Sequence, residues 1–190
     1  MSTMNEALLF LLEALLQPFA AILLLRFHLQ WLRAPMRNPI GQFIMALTDF
    51  LVLRVRRFIP AAKKLDTASL LLAFAVELAF LIAVLWVQGY PFTAFPLPGL
   101  LIWTAIKLFK ISLYLLMGAL FIQALLSWFN PHSPVSGLLN VVTHPFLAPL
   151  RRIIPPLGGI DLTLLVLLIL CQLILIVPVG WLERLVAGLL

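Results

Sequence analysis

The sequence predicts an all-α membrane protein with four transmembrane helices, arranged as two parallel two-span repeats that each carry an amphipathic interfacial or re-entrant segment. Three observations lead there. Of 190 residues, 64% are hydrophobic and 11% charged, against roughly 45–50% and 25% in a soluble domain. One core cannot hide that much apolar surface, so the bilayer must. Four apolar runs approach or reach 20 residues, which as helices span about 30 Å, the hydrocarbon thickness. An arginine–proline junction is written twice, 95 residues apart.

The elements follow in order. Residues 7–25 form the first run, interrupted by Glu13 and Pro18. The "MSTMNEALLF" start lacks a signal peptide's basic n-region and small-residue cleavage site, so this run is expected to stay in the mature chain. Residues 67–86 carry one charge, Glu77, while 111–129 and 162–181 carry none. In hydrocarbon each backbone amide must be paired within its own segment, so these runs are read as helices. Residues 87–96, "VQGYPFTAFP", form a short turn. Residues 97–110 either extend the third span or lie along the interface with Lys107 and Lys110 snorkelling. The connections 32–66 and 130–161 are neither polar nor apolar throughout. Ile40, Phe43, Ile44 and Leu47 in one, and Val135, Leu138, Leu139 and Val142 in the other, recur at i, i+3, i+4, i+7 just after Pro39 and Pro134. That is one face of a helix with proline in its first turn, expected at the membrane surface or dipping into it.

Charge sets the expected orientation. The two amphipathic connections hold nine basic residues and the opposite side at most three. The positive-inside bias puts both connections in the cytoplasm and both termini outside, in a bacterial inner membrane. Seven of the thirteen basic residues fall between Arg33 and Lys64, which points to anionic lipid headgroups as partners. No basic–aromatic motif accompanies the net charge of +6, so nucleic acid is not expected.

The copies are "TDFLVLRVRRFIPAAKKLDTASLLLAFAV" from Thr48 and "THPFLAPLRRIIPPLGGIDLTLLVLLILC" from Thr143. From Arg56 to Leu72 against Arg151 to Leu167, seven of seventeen positions are identical. Upstream, a two-residue slip aligns Gln30-Trp31 with Ser127-Trp128. The chain therefore divides into halves 1–95 and 96–190, each span, amphipathic segment, junction, span. An even number of spans per half gives both the same orientation. In each junction the arginines (Arg56, Arg57; Arg151, Arg152) are expected to reach lipid phosphates. Pro60 and Pro155 end the surface segment, and Gly158-Gly159 allow a tight turn. Asp66 and Asp161 cap the following helix.

The segments "LLLRFHLQW", "RNPIGQF", "RRFIPAAKKLDTASLLLAF" and "PFLAPLRRIIPPLGGIDLTLLVLLIL" resemble the YggT family of small bacterial inner-membrane proteins, related to plastid Ycf-type proteins. The resemblance covers nearly the whole chain. The first half departs from the pattern: Lys63-Lys64 stand where the second half has Gly158-Gly159, and Arg54 where it has Pro149. The resemblance implies links to osmotic-shock tolerance, ion uptake and cell division, and in plastids to cytochrome assembly and thylakoid biogenesis. It implies no catalytic residues.

Glu77 lies mid-span, where a charge costs roughly 2.5–3.5 kcal/mol on insertion scales. Its repeat counterpart is Gln172, and the expected pairing is a hydrogen bond between the two across the pseudo-two-fold axis. Glu13 and Lys110 are a weaker match under the two-residue slip. His28, His132 and His144 lack ligand spacing, and Cys171 has no base nearby in sequence and is read as an apolar filler. No metal, cofactor or catalytic residue is expected. The expected role is a non-enzymatic scaffold or assembly factor with other membrane proteins as partners, and a homo-oligomer is compatible with so few spans. The alternative is a small-cation transporter or channel subunit with Glu77 in the path.

Overall fold

The computed structural model describes residues 3–59, 65–90, 96–130, 133–154 and 161–188. The described residues form helices α1 (Thr3–Trp31), α2 (Pro39–Val55), α3 (Thr67–Val87), α4 (Leu97–Phe129), α5 (Pro134–Ile153), α6 (Thr163–Ile174) and α7 (Gly180–Ala187), with a π-helical turn, Leu175–Val179, joining the last two. Among the described residues four segments are long and apolar enough to cross a membrane: Thr3–Trp31, Thr67–Val87, Leu97–Ser127 and Thr163–Ala187. The protein is an all-helical membrane protein.

Three of the four spans differ from their sequence-drawn bounds, while α3 matches its own to within a residue. α1 runs past both ends of the 7–25 run, through Pro18 and Arg26. Arg26 does not end the helix, because its charge is neutralised from other elements, as described below. The open question over 97–110 closes in favour of the third span: α4 is continuous for 33 residues, about 50 Å at 1.5 Å per residue. Lys107 and Lys110 therefore lie within a helix rather than along the interface. The fourth span contains Pro178 inside the π turn. Proline lacks an amide donor and its ring crowds the carbonyl four residues back, and widening the helix locally relieves that clash.

The connecting helices begin as proline at the first turn dictates. Asn38 caps α2, its Oδ1 accepting from the Gly41 N–H at 2.8 Å. A β-carbon at Gly41 would collide with the Met36 carbonyl, so only glycine fits that close approach. Ser133 caps α5 by accepting from the Val135 N–H at 3.3 Å. α5 ends at Ile153, and Ile154 is extended (φ −112°, ψ 101°), the conformation forced on a residue preceding proline. α2 ends at Val55, five residues ahead of Pro60. Pro60, Pro155, Gly158 and Gly159, with His132, lie outside the described residues.

α1 packs chiefly on α3, and α4 is the hub, touching α1, α3, α5, α6 and α7. One apolar cluster joins α1, α2, α3 and α4 through Leu23, Leu24, Val52, Ala73 and Leu108. A second joins α4 to α5, α6 and α7 through Leu113, Leu120, Leu147, Leu167 and Val186. A third, built from Leu29, Ala34, Ile44 and Leu138, brings α2 and α5 together over the end of α1. Phe10, Leu15, Phe121, Leu165 and Ile176 are left exposed, which in a spanning helix means facing lipid.

Candidate functional site

The densest polar construction lies where α1 ends, α2 passes and α3 begins. Arg26 is 2% exposed, and Asp66 is 1% exposed. The Arg26 Nη1 donates to the Thr48 hydroxyl at 2.6 Å and to the Asp49 carboxylate at 2.7 Å. Its Nε stands 3.5 Å from the Asp66 Oδ2. Arg56 grips the same Asp66 with two nitrogens, Nη2 at 2.9 Å and Nε at 3.2 Å, and also donates to Gln30 at 3.3 Å. Two guanidinium groups and two carboxylates thus close a neutral network over three helices. Such pairing is what lets ionised groups stay away from water.

Within the network Asp66 is also the N-cap of α3. Its carboxylate accepts from the Ser69 N–H at 3.4 Å and from the Ser69 hydroxyl. Burial pushes this carboxyl up, but hydrogen bonds from Arg56 and Ser69 and the Arg56 charge outweigh it, leaving Asp66 below its ordinary value.

The second half carries the same wiring in a different chemistry. Thr143, 95 residues after Thr48, donates to the Gln123 Oε1 at 2.6 Å and to the Leu139 carbonyl at 2.9 Å. Thr48 likewise donates to the Ile44 carbonyl at 2.6 Å. Gln123 takes the place of Arg26 under the two-residue slip, and its amide donates to Asn140 at 2.6 Å. Arg151 pairs with Asp161 at 2.7 and 3.0 Å, as Arg56 pairs with Asp66. Asp161 accepts the Thr163 N–H at 3.0 Å at the start of α6. Burial raises the Asp161 carboxyl, but hydrogen bonds from Thr163 and Arg151 and the Arg151 charge hold it below its ordinary value.

The intramembrane pair expected from sequence is not formed. Glu77, at the midpoint of α3 and fully buried, accepts from the Gln17 amide of α1 at 3.4 Å. It stands 3.9 Å from the Lys107 ammonium of α4. Gln172 is exposed on α6. The expectation assumed that α3 and α6 face each other; instead α3 packs on α1 and α4, so Glu77 finds its counter-ion there. Lys107 also lies 5.5 Å from the Phe80 ring centroid, a cation–π distance. Lys110 pairs with Glu183 of α7 at 2.8 Å, not with the exposed Glu13.

Of the residues singled out from sequence, the structure brings together Arg56 with Asp66 and Arg151 with Asp161. Arg57 and Arg152 are exposed. Sequence reasoning missed Arg26, Thr48, Asp49, Gln123 and Thr143. An arginine closing an apolar run was the available signal for Arg26, and the threonines stand at the head of each repeated stretch. His28 donates from Nδ1 to the Leu24 carbonyl at 2.7 Å, His144 is exposed and Cys171 is buried. Among the described residues no three His, Cys, Asp or Glu side chains gather to hold a metal.

The fold and its buried polar ties define the class first: a polytopic helical membrane protein whose charged groups serve to hold helices together. The CCB3/YggT family profile matches residues 5–87 and 102–182, and the chain belongs to that family. An uncharacterized protein of Pseudomonas aeruginosa is 37% identical over 162 residues, covering 84% of this chain and 82% of its own length. The uncharacterized protein YggT of Escherichia coli is 34% identical over 172 residues, covering 89% and 87%. An uncharacterized Vibrio alginolyticus protein is 34% identical over 161 residues, covering 84% and 86%. No solved structure matches.

Proposed function

We propose that this protein is a non-enzymatic scaffold or assembly factor of the bacterial inner membrane. On this reading α2 and α5 lie at the cytoplasmic surface and both termini face outward, as the lysine and arginine bias demands. One observation carries it: the helices expected at the surface are fastened to the spans by polar contacts, buried from Arg26 to Thr48 and from Gln123 to Thr143 and part-buried from Arg26 to Asp49. Next to these fastenings the chain leaves Arg54, Arg57 and Arg152 exposed. Phe58 (86% exposed) and Ile153 (77% exposed) stand beside them. A rigid face of cations and apolar groups suits anionic headgroups and the juxtamembrane surface of another membrane protein. Family links to osmotic tolerance and complex assembly are compatible with such a platform.

The test is site-specific photocrosslinking in native membranes from positions 58 and 153. Discrete protein adducts, lost when Arg57 and Arg152 are both changed to Glu, support the platform. Adducts to lipid alone, with no protein band from either position, overturn it. The cation-path alternative gains nothing from the geometry, because Lys107 already supplies the positive charge beside Glu77. Flux in proteoliposomes that Glu77→Gln abolishes would restore it.

A further inference from the structure

Between the apolar clusters a sizeable space is left unfilled. A cavity of about 560 Å³ lies where α1 meets α4 under the starts of α2 and α5, within the range of roughly 300–1,000 Å³ usual for small-molecule sites. Its walls are almost wholly hydrocarbon: Leu25, Leu29, Leu113, Leu139 and Phe146 are representative. Engineered voids of about 150 Å³ with such walls stay dry and take up apolar molecules. Trp31, Phe109, Tyr114, Gly118 and Ile122 belong to the lining and are also exposed, so the space opens sideways into lipid.

Depth identifies the occupant. The lining on α4 runs from Phe109 to Ile122, about 20 Å of helix. Residue 113 is the midpoint of the 33-residue helix, so, with the helix centred in the bilayer, the space runs from near the midplane toward the α2 and α5 end. One leaflet's hydrocarbon is about 15 Å deep. The α1 lining ends at Leu32, and Ile40 lines the same end. The connection between those two residues carries Arg33 and Arg37, both exposed and neither ion-paired among the described residues. Arg33 and Arg37 do not line the space, but the chain carries them between two residues that do; a cavity with its lining apolar and cations in the connection at one end has the polarity of one phospholipid in one leaflet.

We propose that this cavity is a binding site for an anionic phospholipid, an acyl chain between α1 and α4 and the phosphate on Arg33 and Arg37. The site is separate from the crosslinking face above and stands or falls without it. Bound there, the lipid fills the seam that joins α1 of the first half to α4 and α5 of the second. Gly118 lies on the open side of the lining, and nothing lies within 4 Å of where its β-carbon would be, so a large side chain there would project into open space.

Native mass spectrometry of the full chain, stripped of lipid in detergent and then offered phosphatidylglycerol or phosphatidylcholine with identical acyl chains, tests this. One phosphatidylglycerol should be retained per chain, with phosphatidylcholine weaker by on the order of tenfold. Arg33→Gln with Arg37→Gln should bring the two lipids level, and Gly118→Leu should remove both at unchanged helix content. If Gly118→Leu does not fold, Ser112→Leu serves in its place. No retained lipid on the wild type, equal retention of both lipids unaffected by the arginine changes, or retention surviving a folded Gly118→Leu each overturns the proposal. So does a lipid-free dimer that phosphatidylglycerol fails to dissociate, which would make the occupant a second copy.

Discussion

The two halves tie a helix down on its neighbours in the same way but with different groups. In the first half the tie is ionic and buried at its centre: Arg26 and Asp66 have almost no exposed side chain, while Asp49 at the edge is 39% exposed. In the second it is a neutral chain of amide and hydroxyl groups, Asn140 to Gln123 to Thr143, and the Arg151–Asp161 pair stands apart with 43% and 35% of its side chains exposed. The contact persists while its chemistry changes, which teaches that position, more than charge, is what the architecture requires. The energetic risks differ sharply. A neutral tie, when cut, leaves an unsatisfied dipole, whereas a buried ionic tie leaves a whole charge.

The largest effect is therefore expected at Arg26. Arg26→Met keeps the volume of the stem and removes the charge, leaving Asp66 with Arg56 alone and Asp49 with no counter-ion. Asp66 keeps Arg56 and solvent screens the part-exposed Asp49, so a loss of about 3 kcal/mol, the lower end for a broken buried pair, is expected, read as a drop in unfolding midpoint in detergent. An unchanged midpoint would mean that the network is hydrated in the membrane and the ionic tie is not holding α2. Gln123→Leu, its second-half equivalent, should cost less, about 1–3 kcal/mol, because only the Thr143 hydroxyl and the Asn140 carbonyl lose a partner. If Gln123→Leu cost as much as Arg26→Met, the contrast between the halves would be empty.

Much of this architecture could be read from the sequence, since span length and hydropathy are local properties. Thr67–Val87 matches the 67–86 run almost to the residue because Asp66 announces its start. Local signals failed where a distant residue changed the meaning of a nearby one. Arg26 reads as the end of an apolar run until Asp49 and Asp66 are brought beside it, 23 and 40 residues away. Lys107 reads as interfacial until Glu77 is found 3.9 Å from it. Glu77 itself was conspicuous, being alone in its span, yet its partner was misassigned by assuming that equivalent spans face one another. The fork between Arg151 and Asp161 was half visible: both residues stood in the repeated motif, but the arginine was assigned to lipid and the aspartate to the helix end.

Acid should separate the halves next. Asp66 and Asp161 are both held below the ordinary value of 3.8. A depressed folded-state value contributes stability that is fully present above 3.8 and is lost as the pH falls through the lowered value. These two carboxylates should thus make the unfolding midpoint fall below about pH 4. Asp66→Asn should flatten that fall more than Asp161→Asn, because solvent screens the exposed second pair. A larger flattening from Asp161→Asn would reverse the assignment of the buried tie to the first half.

The smallest effect belongs to Arg151, and it sharpens the comparison most because the sequence motif is the same. Arg56 and Arg151 each face an aspartate ten residues on with two nitrogens. Sequence identity alone would give them equal weight. Exposure does not: the Asp66 side chain is wholly enclosed, and Asp161 is not. A pair open to water contributes about 0–1 kcal/mol, so Arg151→Gln should barely move the unfolding midpoint, whereas Arg56→Gln, which strips one of two cations from an enclosed carboxylate, should lower it clearly. Equal losses from the two substitutions would show that the second junction is covered in the membrane, by lipid headgroups or by a partner resting on the α5 end. In that case the exposed face of α5 would be an occupied one, and crosslinking from position 153 should then find what covers it.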